Sequence, residues 1–232
     1  MQGQGAVGSV EDFTALRRTA IECQIRPFGV TDQRILGSFL DIPREKFVPA
    51  GFEPVAYADS ELSHALAGGK GARPMLMPLV LARLIQAADV QAGDRVLDVA
   101  GATGYTAAVL AGLAASVIAL ESDEALSQAA GDNFKALGLA NAEAVLGTLT
   151  EGCAAKGPFD VVIVNGAAQQ GLDVLMAQLA PGGRMVFLRP HAAGAGRAFL
   201  LRKDGDAISE RALFEAAGKL IPEFAAAPAF VF

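Results

Sequence analysis

Apolar positions along the chain follow two rhythms. From Phe13 to Ile25, Phe13, Leu16, Ala20 and Ile21 recur at helical spacing among Arg17, Arg18 and Glu22, which predicts an amphipathic helix closed by Pro27. Thr31 or Asp32 caps a second predicted helix over Gln33 to Leu40, and Pro43 opens a short third one through Arg44, Glu45 and Lys46. An extended passage then reaches Tyr57-Ala58-Asp59. From Ser63 to Pro74 the Gly, Ala and scattered polar residues predict a loop lying near a ligand. Helical periodicity returns at Met77 and runs to about Ala88, with Pro78 in the first turn.

After Ala92-Gly93-Asp94 the rhythm changes. Short apolar runs at 95–99, 116–120, 142–146, 159–164 and 183–188 alternate with helix-compatible stretches near 105–113, 123–137 and 171–179. That alternation predicts an α/β fold, a mostly parallel, doubly wound sheet with both faces covered. The tail adds segments 197–201 and 214–220, and Phe230-Val231-Phe232 is expected to pair antiparallel with 197–201 at the sheet edge. No repeat or low-complexity linker divides the chain. The expectation is one domain over 1–232, with 1–92 a helical lid segment, 93–232 the sheet, and the boundary near 89–94.

The chemistry concentrates at Arg95-Val96-Leu97-Asp98-Val99-Ala100-Gly101-Ala102-Thr103-Gly104-Tyr105, where a strand runs through small residues into a helix. In open α/β sheets, ligands bind beyond the carboxyl ends of the strands, where helix N-termini leave N–H groups unpaired. The next strand ends in Glu121, 23 positions after Asp98, close to the roughly 20 expected of a carboxylate that grips both hydroxyls of a ribose. A small turn followed by such a carboxylate selects a nucleoside, although a tight turn also carries small residues for packing alone. Gly101-Ala102-Thr103-Gly104 does not supply the dinucleotide fingerprint G-x-G-x-x-G, and no Walker signature follows a strand.

Composition narrows the class. With 232 residues, 52% of them hydrophobic and 19% charged, the chain is long enough for one substantial core and too apolar for disorder. A formal net charge of −6 disfavours a general nucleic-acid binder. Cys23 and Cys153 stand far apart without histidine at ligand spacing, so neither a disulfide framework nor a metal site is expected, and a reduced, cytoplasmic setting fits. Met1 to Val10 lack the basic and apolar regions of a signal peptide. No apolar run approaches the roughly 20 residues of a membrane span.

Several stretches together resemble the protein-L-isoaspartate (D-aspartate) O-methyltransferase family over about residues 13–190. Pro43-Arg44-Glu45-Lys46-Phe47-Val48-Pro49 followed by Tyr57-Ala58-Asp59 is similar to its N-terminal signature, and Gly104-Tyr105-Thr106-Ala107-Ala108-Val109-Leu110-Ala111 to its first cofactor helix. Pro158-Phe159-Asp160, Ala167-Ala168 and Gln178-Leu179-Ala180-Pro181-Gly182-Gly183-Arg184 resemble its later strands and loops. The resemblance implies a Rossmann-like methyltransferase fold, S-adenosyl-L-methionine as cofactor, a protein or peptide substrate, and methylation of a carboxylate at an isoaspartyl site. A carboxylate is already nucleophilic at neutral pH, so proximity and in-line orientation carry the rate and no catalytic base is required. The cofactor-binding set that follows is Asp98, Ala100, Gly101, Ala102, Gly104, Tyr105, Glu121, Ser122, Thr148, Leu149 and Asn165.

The chain departs from the family at three ligand-facing places. Ala100 and Ala102 stand where the family has glycine, and a methyl group at each is expected to crowd the methionine portion of the cofactor or set the turn farther from it. Met75 and Leu76 align with the isoleucine and serine of the family's Thr-Ile-Ser, so Leu76 cannot reproduce the serine hydrogen bond. Gly147-Thr148-Leu149 replaces a Gly-Asp-Gly, losing a carboxylate near the expected adenine. Of the remaining candidates, His64 lies in the expected substrate loop and is suited to proton transfer. Arg73 is suited to pairing a substrate carboxylate, or is a surface residue. Repair of isoaspartyl sites is the leading expectation; the alternatives are a different methyl acceptor, or a non-catalytic member that keeps the fold for binding or regulation.

Overall fold

A computed structural model describes residues 10–191, 194–205 and 207–226. Helix α1 (Val10–Ala20) continues through a π-helical turn, Ile21–Ile25, into a 3-10 turn, Arg26–Phe28, which holds Pro27 and ends at Gly29 with φ of 90°. Helix α2 (Gln33–Asp41) is capped by Asp32, whose carboxylate accepts from the Arg34 N–H at 2.8 Å, as a short acidic side chain does at an N-cap. The short third helix is a single 3-10 turn, Arg44–Lys46.

The segment expected to be a loop is instead a hairpin. Strand β1 (Leu62–Ala65) pairs antiparallel with β2 (Ala72–Met75), setting His64 opposite Arg73. The reversal runs through Gly68, Gly69 and Gly71, all at positive φ. Four-residue strands with a mixed side-chain pattern offer no period long enough to read. Helix α3 (Pro78–Ala88) follows, with Pro78 in its first turn.

The remaining elements, in order, are β3 (Arg95–Val99), α4 (Tyr105–Ala111), β4 (Ser116–Glu121), α5 (Glu124–Ala136), β5 (Ala142–Leu146), β6 (Phe159–Ala167), α6 (Asp173–Ala177), β7 (Leu179–His191), β8 (Gly194–Asp204) and β9 (Ala207–Glu215). They form a seven-stranded sheet ordered β5-β4-β3-β6-β7-β8-β9, parallel from β5 to β7 and antiparallel from β7 to β9. The chain winds one way from β3 to β5 and the other way from β6, so a crevice opens at the carboxyl ends of β3 and its neighbours.

The antiparallel partner of 197–201 beyond β7 is β9, with Leu200 opposite Arg211; Phe230, Val231 and Phe232 lie outside the described residues. Strand β9 is mostly exposed, so it lacks the apolar alternation that would announce it. Of segment 214–220 only the start belongs to β9, and Leu220 makes an isolated parallel bridge with Ala167.

Alternate residues of each central strand enter opposite cores, as the two-residue strand period requires. Val96, Val117, Val161, Ile163 and Val186 join Ile21, Phe39, Leu84 and Phe134 beneath the helices α2 to α5. Leu97, Ile118, Val162, Val164, Met185 and Phe187 face Leu149, Leu175, Ile221 and Phe224. The second face is thus covered by the short α6 and by 3-10 turns, Leu149–Glu151 and Pro222–Phe224 among them. Among the described residues no helix is long and apolar enough to cross a membrane.

Candidate cofactor site

The turn that leaves β3 takes a left-handed backbone three times, at Ala100 (φ 61°), Ala102 (φ 53°) and Gly104 (φ 91°). Two of these carry a side chain, a conformation that costs an L-residue roughly 1–2 kcal/mol. The path is fixed by hydrogen bonds: the Ala100 N–H donates to Leu120 O at 2.9 Å and the Gly104 N–H to Gly101 O at 3.0 Å. Glycine survives where a Cβ would collide. At Gly101 it would lie 2.3 Å from Asp98 Oδ2, and at Gly104 it would lie 2.7 Å from the Phe134 ring.

Nothing of this turn faces open solvent: Ala100 is 0% and Ala102 2% exposed. The N-terminal segment closes over it. Thr103 Oγ1 donates to Phe47 O at 2.6 Å, and His64 Nε2 lies 3.0 Å from the same carbonyl. Tyr105 meets Phe39 and Phe47 edge-on, and the Arg44 guanidinium lies 4.8 Å from its ring centroid. Burial pushes the Tyr105 hydroxyl up to about 12, so it remains protonated.

Below the turn, Asp98 is fully buried. Asn165, at the carboxyl end of β6, donates through Nδ2 to Asp98 Oδ1 and, at 3.0 Å, to Val99 O, while Thr106 Oγ1 donates to Asn165 Oδ1 at 2.6 Å. This fixes the amide and hence the carboxyl. Asp98 Oδ2 has no partner. Burial raises the carboxyl to about 7; the Asn165 hydrogen bond opposes the shift and the charge of Glu121 adds to it.

Glu121, 3% exposed at the end of β4, concentrates its donors on one oxygen. Oε1 accepts from Arg73 Nε at 3.1 Å and from the N–H groups of Ser122 and Asp123 at 2.8 and 3.2 Å. Oε2 has no partner. Burial raises the Glu121 pKa against the pull of Arg73. Arg73 is itself wholly buried and reaches on to Glu223, so the solvated or substrate-facing guanidinium expected from the sequence is a structural ion pair. Burial works against its charge, and the carboxylates of Glu223 and Glu121 outweigh that.

The other expected residues fall as follows. Leu76 is 3% exposed, and its carbonyl accepts from Arg44 Nη2 at 2.9 Å. His64 lies in β1 rather than on a loop and is 8% exposed; burial lowers its pKa, which leaves it neutral at neutral pH and poorly placed for proton exchange with solvent. Thr148 is exposed and Leu149 buried in the turn after β5. The structure brings Asp98, Ala100, Gly101, Ala102, Gly104, Tyr105, Glu121, Ser122 and Asn165 to the carboxyl ends of β3, β4 and β6. Sequence reasoning missed Glu223, Phe224 and Asp123. Asp123 alone had a local signal, an acidic residue just before a helix; it caps α5 and also accepts from the Ala67 N–H at 2.8 Å.

This is the strand order and crevice of Rossmann-like methyltransferases, and the comparisons narrow it. The protein-L-isoaspartate (D-aspartate) O-methyltransferase family matches residues 17–215. A protein-L-isoaspartate O-methyltransferase of Koribacter versatilis is 38% identical over 174 residues, 75% of this chain and 76% of that protein. One from Roseiflexus castenholzii is 36% identical over 198 residues, 85% and 87% of the two chains. A solved protein-L-isoaspartate O-methyltransferase superposes with a TM-score of 0.78 at 25% identity, covering 88% of this chain, which spans 65% of that longer one. The fold is also that of a Plasmodium falciparum structure described as a putative member in complex with S-adenosyl-L-homocysteine, with a TM-score of 0.68, 17% identity and coverage of 89% and 98%. The chain belongs to the protein-L-isoaspartate (D-aspartate) O-methyltransferase family.

Proposed function

We propose that this chain binds S-adenosyl-L-methionine at the carboxyl ends of β3 and β4 and directs its methyl group to a carboxylate of an isoaspartyl residue in a protein or peptide. The observation that carries the reading is the pair Asp98 Oδ2 and Glu121 Oε2. Both are buried carboxyl oxygens on adjacent strands, and neither has a hydrogen-bond partner. A polar atom left unsatisfied in the interior costs about 1–3 kcal/mol, so such atoms call for a ligand with hydrogen-bonding groups. A ribose hydroxyl suits Glu121, and the site fits the family's cofactor in that respect.

The cofactor supplies an electrophilic methyl group on a sulfonium, and the rest falls to the chain. Glu121 fixes the sugar, Asn165 and Thr106 orient Asp98, and residues 39–47 keep water from the turn. Leu76 offers an apolar wall where the family has a serine. A carboxylate acceptor arrives already ionised, which agrees with a site whose one nearby histidine, His64, is turned to the Phe47 carbonyl. In this reading 1–92 serve as the lid segment of a single domain, and the protein works in the cytoplasm on protein substrates without nucleic acid or membrane.

Titration with S-adenosyl-L-homocysteine followed by a methylation assay on an isoaspartyl peptide tests the proposal. Glu121→Ala should weaken binding by about 1.5–3 kcal/mol, the scale of a hydrogen bond to a charged group. Unchanged affinity would place the ribose elsewhere, and absence of binding at millimolar concentration would refute the enzyme reading. The methyl-bearing turn and the Arg73 ion pair on Glu121 favour one second reading, a member that binds without transferring methyl. Cofactor binding with background turnover of the isoaspartyl peptide and of free carboxylate acceptors would establish it.

A further inference from the structure

The ribose carboxylate of the proposed site already has an occupant. Arg73 Nη2 lies 2.9 Å from Glu121 Oε1, the oxygen that also carries the Ser122 and Asp123 N–H groups. On its far side Arg73 meets Glu223 as a two-pronged fork, Nη1 donating to Oε2 at 3.1 Å and Nη2 to Oε1 at 2.7 Å. Ser122 Oγ accepts from Arg73 Nη2 at 3.0 Å and donates to Glu223 Oε1 at 2.6 Å. Parallel N–H donation from a guanidinium to a carboxylate is among the stronger and most directional of protein contacts.

Glu223 is delivered by a strap, residues 219–226, which crosses the carboxyl end of β6. Ala167 N–H donates to Lys219 O and Ile221 N–H to Ala167 O, each at 2.9 Å, and Gln169 and Gln170 N–H groups donate to Phe224 O at 3.0 and 3.2 Å. Phe224 is wholly buried beside the turn that follows β5. A Cβ at Gly171 would lie 3.4 Å from the Phe224 ring and 3.2 Å from the Thr150 methyl group. The strap therefore joins both ends of the nucleoside crevice, the β4 carboxylate and the turn after β5, to the end of the chain.

We propose that Arg73, Glu223 and Ser122 form a latch on Glu121, so that cofactor binding and release of the 219–226 strap are linked. This rests on the assignment of Glu121 to the ribose. With the latch closed, Glu121 presents one free oxygen to a diol that asks for two. A ligand that binds only the open form has its affinity reduced by the fraction of molecules that are open. Loosening the latch without removing Glu121 should tighten binding.

Glu223→Gln is the chosen variant, because Glu223 is partly exposed and the amide keeps its shape while withdrawing the charge by which the strap clamps Arg73 in place against Glu121. Calorimetric titration of the full chain with S-adenosyl-L-homocysteine should show affinity about tenfold or more above wild type. Hydrogen exchange on the wild-type protein gives a second readout: adding the ligand should speed exchange at Ile221 and Phe224. Binding by Glu223→Gln alone would support the latch most directly. Equal or weaker binding by a folded Glu223→Gln, or unchanged or greater protection of the strap in the complex, would overturn it while leaving the cofactor site intact. Failure of both proteins to bind at millimolar ligand would overturn the cofactor reading and the latch with it.

Discussion

The alanines of the β3–α4 turn permit a direct test of how the backbone is held. Ala102 sits at φ 53° and is 2% exposed. In Ala102→Gly the left-handed strain, roughly 1–2 kcal/mol, is relieved. Against that, the unfolded chain gains freedom that costs about 0.4–1 kcal/mol on folding, and one buried methyl group worth about 0.8 kcal/mol is lost. The three contributions nearly cancel. Ala108, fully buried in α4, is the comparison. There glycine costs about 1 kcal/mol of helix propensity and about 0.8 kcal/mol of burial, with no strain to recover, so about 2 kcal/mol is lost.

Urea unfolding at 25 °C should therefore place Ala102→Gly within about 1 kcal/mol of wild type and Ala108→Gly about 2 kcal/mol below it, provided the slopes agree. A loss at Ala102 equal to that at Ala108 would refute the claim of left-handed strain. The same variant bears on function. If the methyl group crowds the cofactor, Ala102→Gly should also bind S-adenosyl-L-homocysteine more tightly, and unchanged affinity would show that the methyl group lies clear of the ligand.

Two further predictions concern the same turn. Gly104→Ala should lose about 3 kcal/mol or more in urea unfolding, because a Cβ there meets the Phe134 ring at 2.7 Å on a backbone at φ 91° and strain adds to overpacking; a loss under 1 kcal/mol would mean the turn has room to move. Asp98, held near 7 by burial, keeps its proton in the folded state after the unfolded chain has lost it. Between about pH 4 and 7 the unfolded state then binds fewer protons, so stability of the ligand-free protein falls as pH rises; in Asp98→Asn that slope should flatten, and an unaltered pH profile would exclude Asp98 as its source.

How much of this was legible depends on distance along the chain. The run from Asp98 to Glu121 is local: strand, turn, helix and strand each carry their own period, and the structure sets β3 and β4 side by side in parallel. The β1–β2 hairpin left no comparable trace, since its strands are four residues long and its reversal is built from glycines. Strand β9 was invisible for another reason, its exposed Ile208, Glu210 and Arg211 giving no inward face to count. Arg73 could be read as a guanidinium seeking a carboxylate, but not as one that had found two. Its partner Glu223 lies 150 positions away, beyond the reach of any spacing rule.

The departure from the family at Gly147-Thr148-Leu149 reads differently once the strap is placed. Decay of a binding site would leave charged and polar groups buried without partners, each costing about 1–3 kcal/mol, and Arg73 shows the opposite, with every nitrogen of its buried guanidinium donating. Thr148, standing for the lost carboxylate, is exposed, so no partner is orphaned by its absence. Leu149, where the family has glycine, brings a buried side chain into the same apolar cluster as Phe224. The turn and the strap thus answer each other: the apolar turn after β5 receives the strap's phenylalanine, and the strap's glutamate holds the arginine that engages Glu121. Among the described residues, Asp98 Oδ2 and Glu121 Oε2 remain unanswered at the ends of β3 and β4, as does Arg44 Nη1 over the Tyr105 ring, and the two carboxyl oxygens are the atoms a nucleoside cofactor is suited to meet.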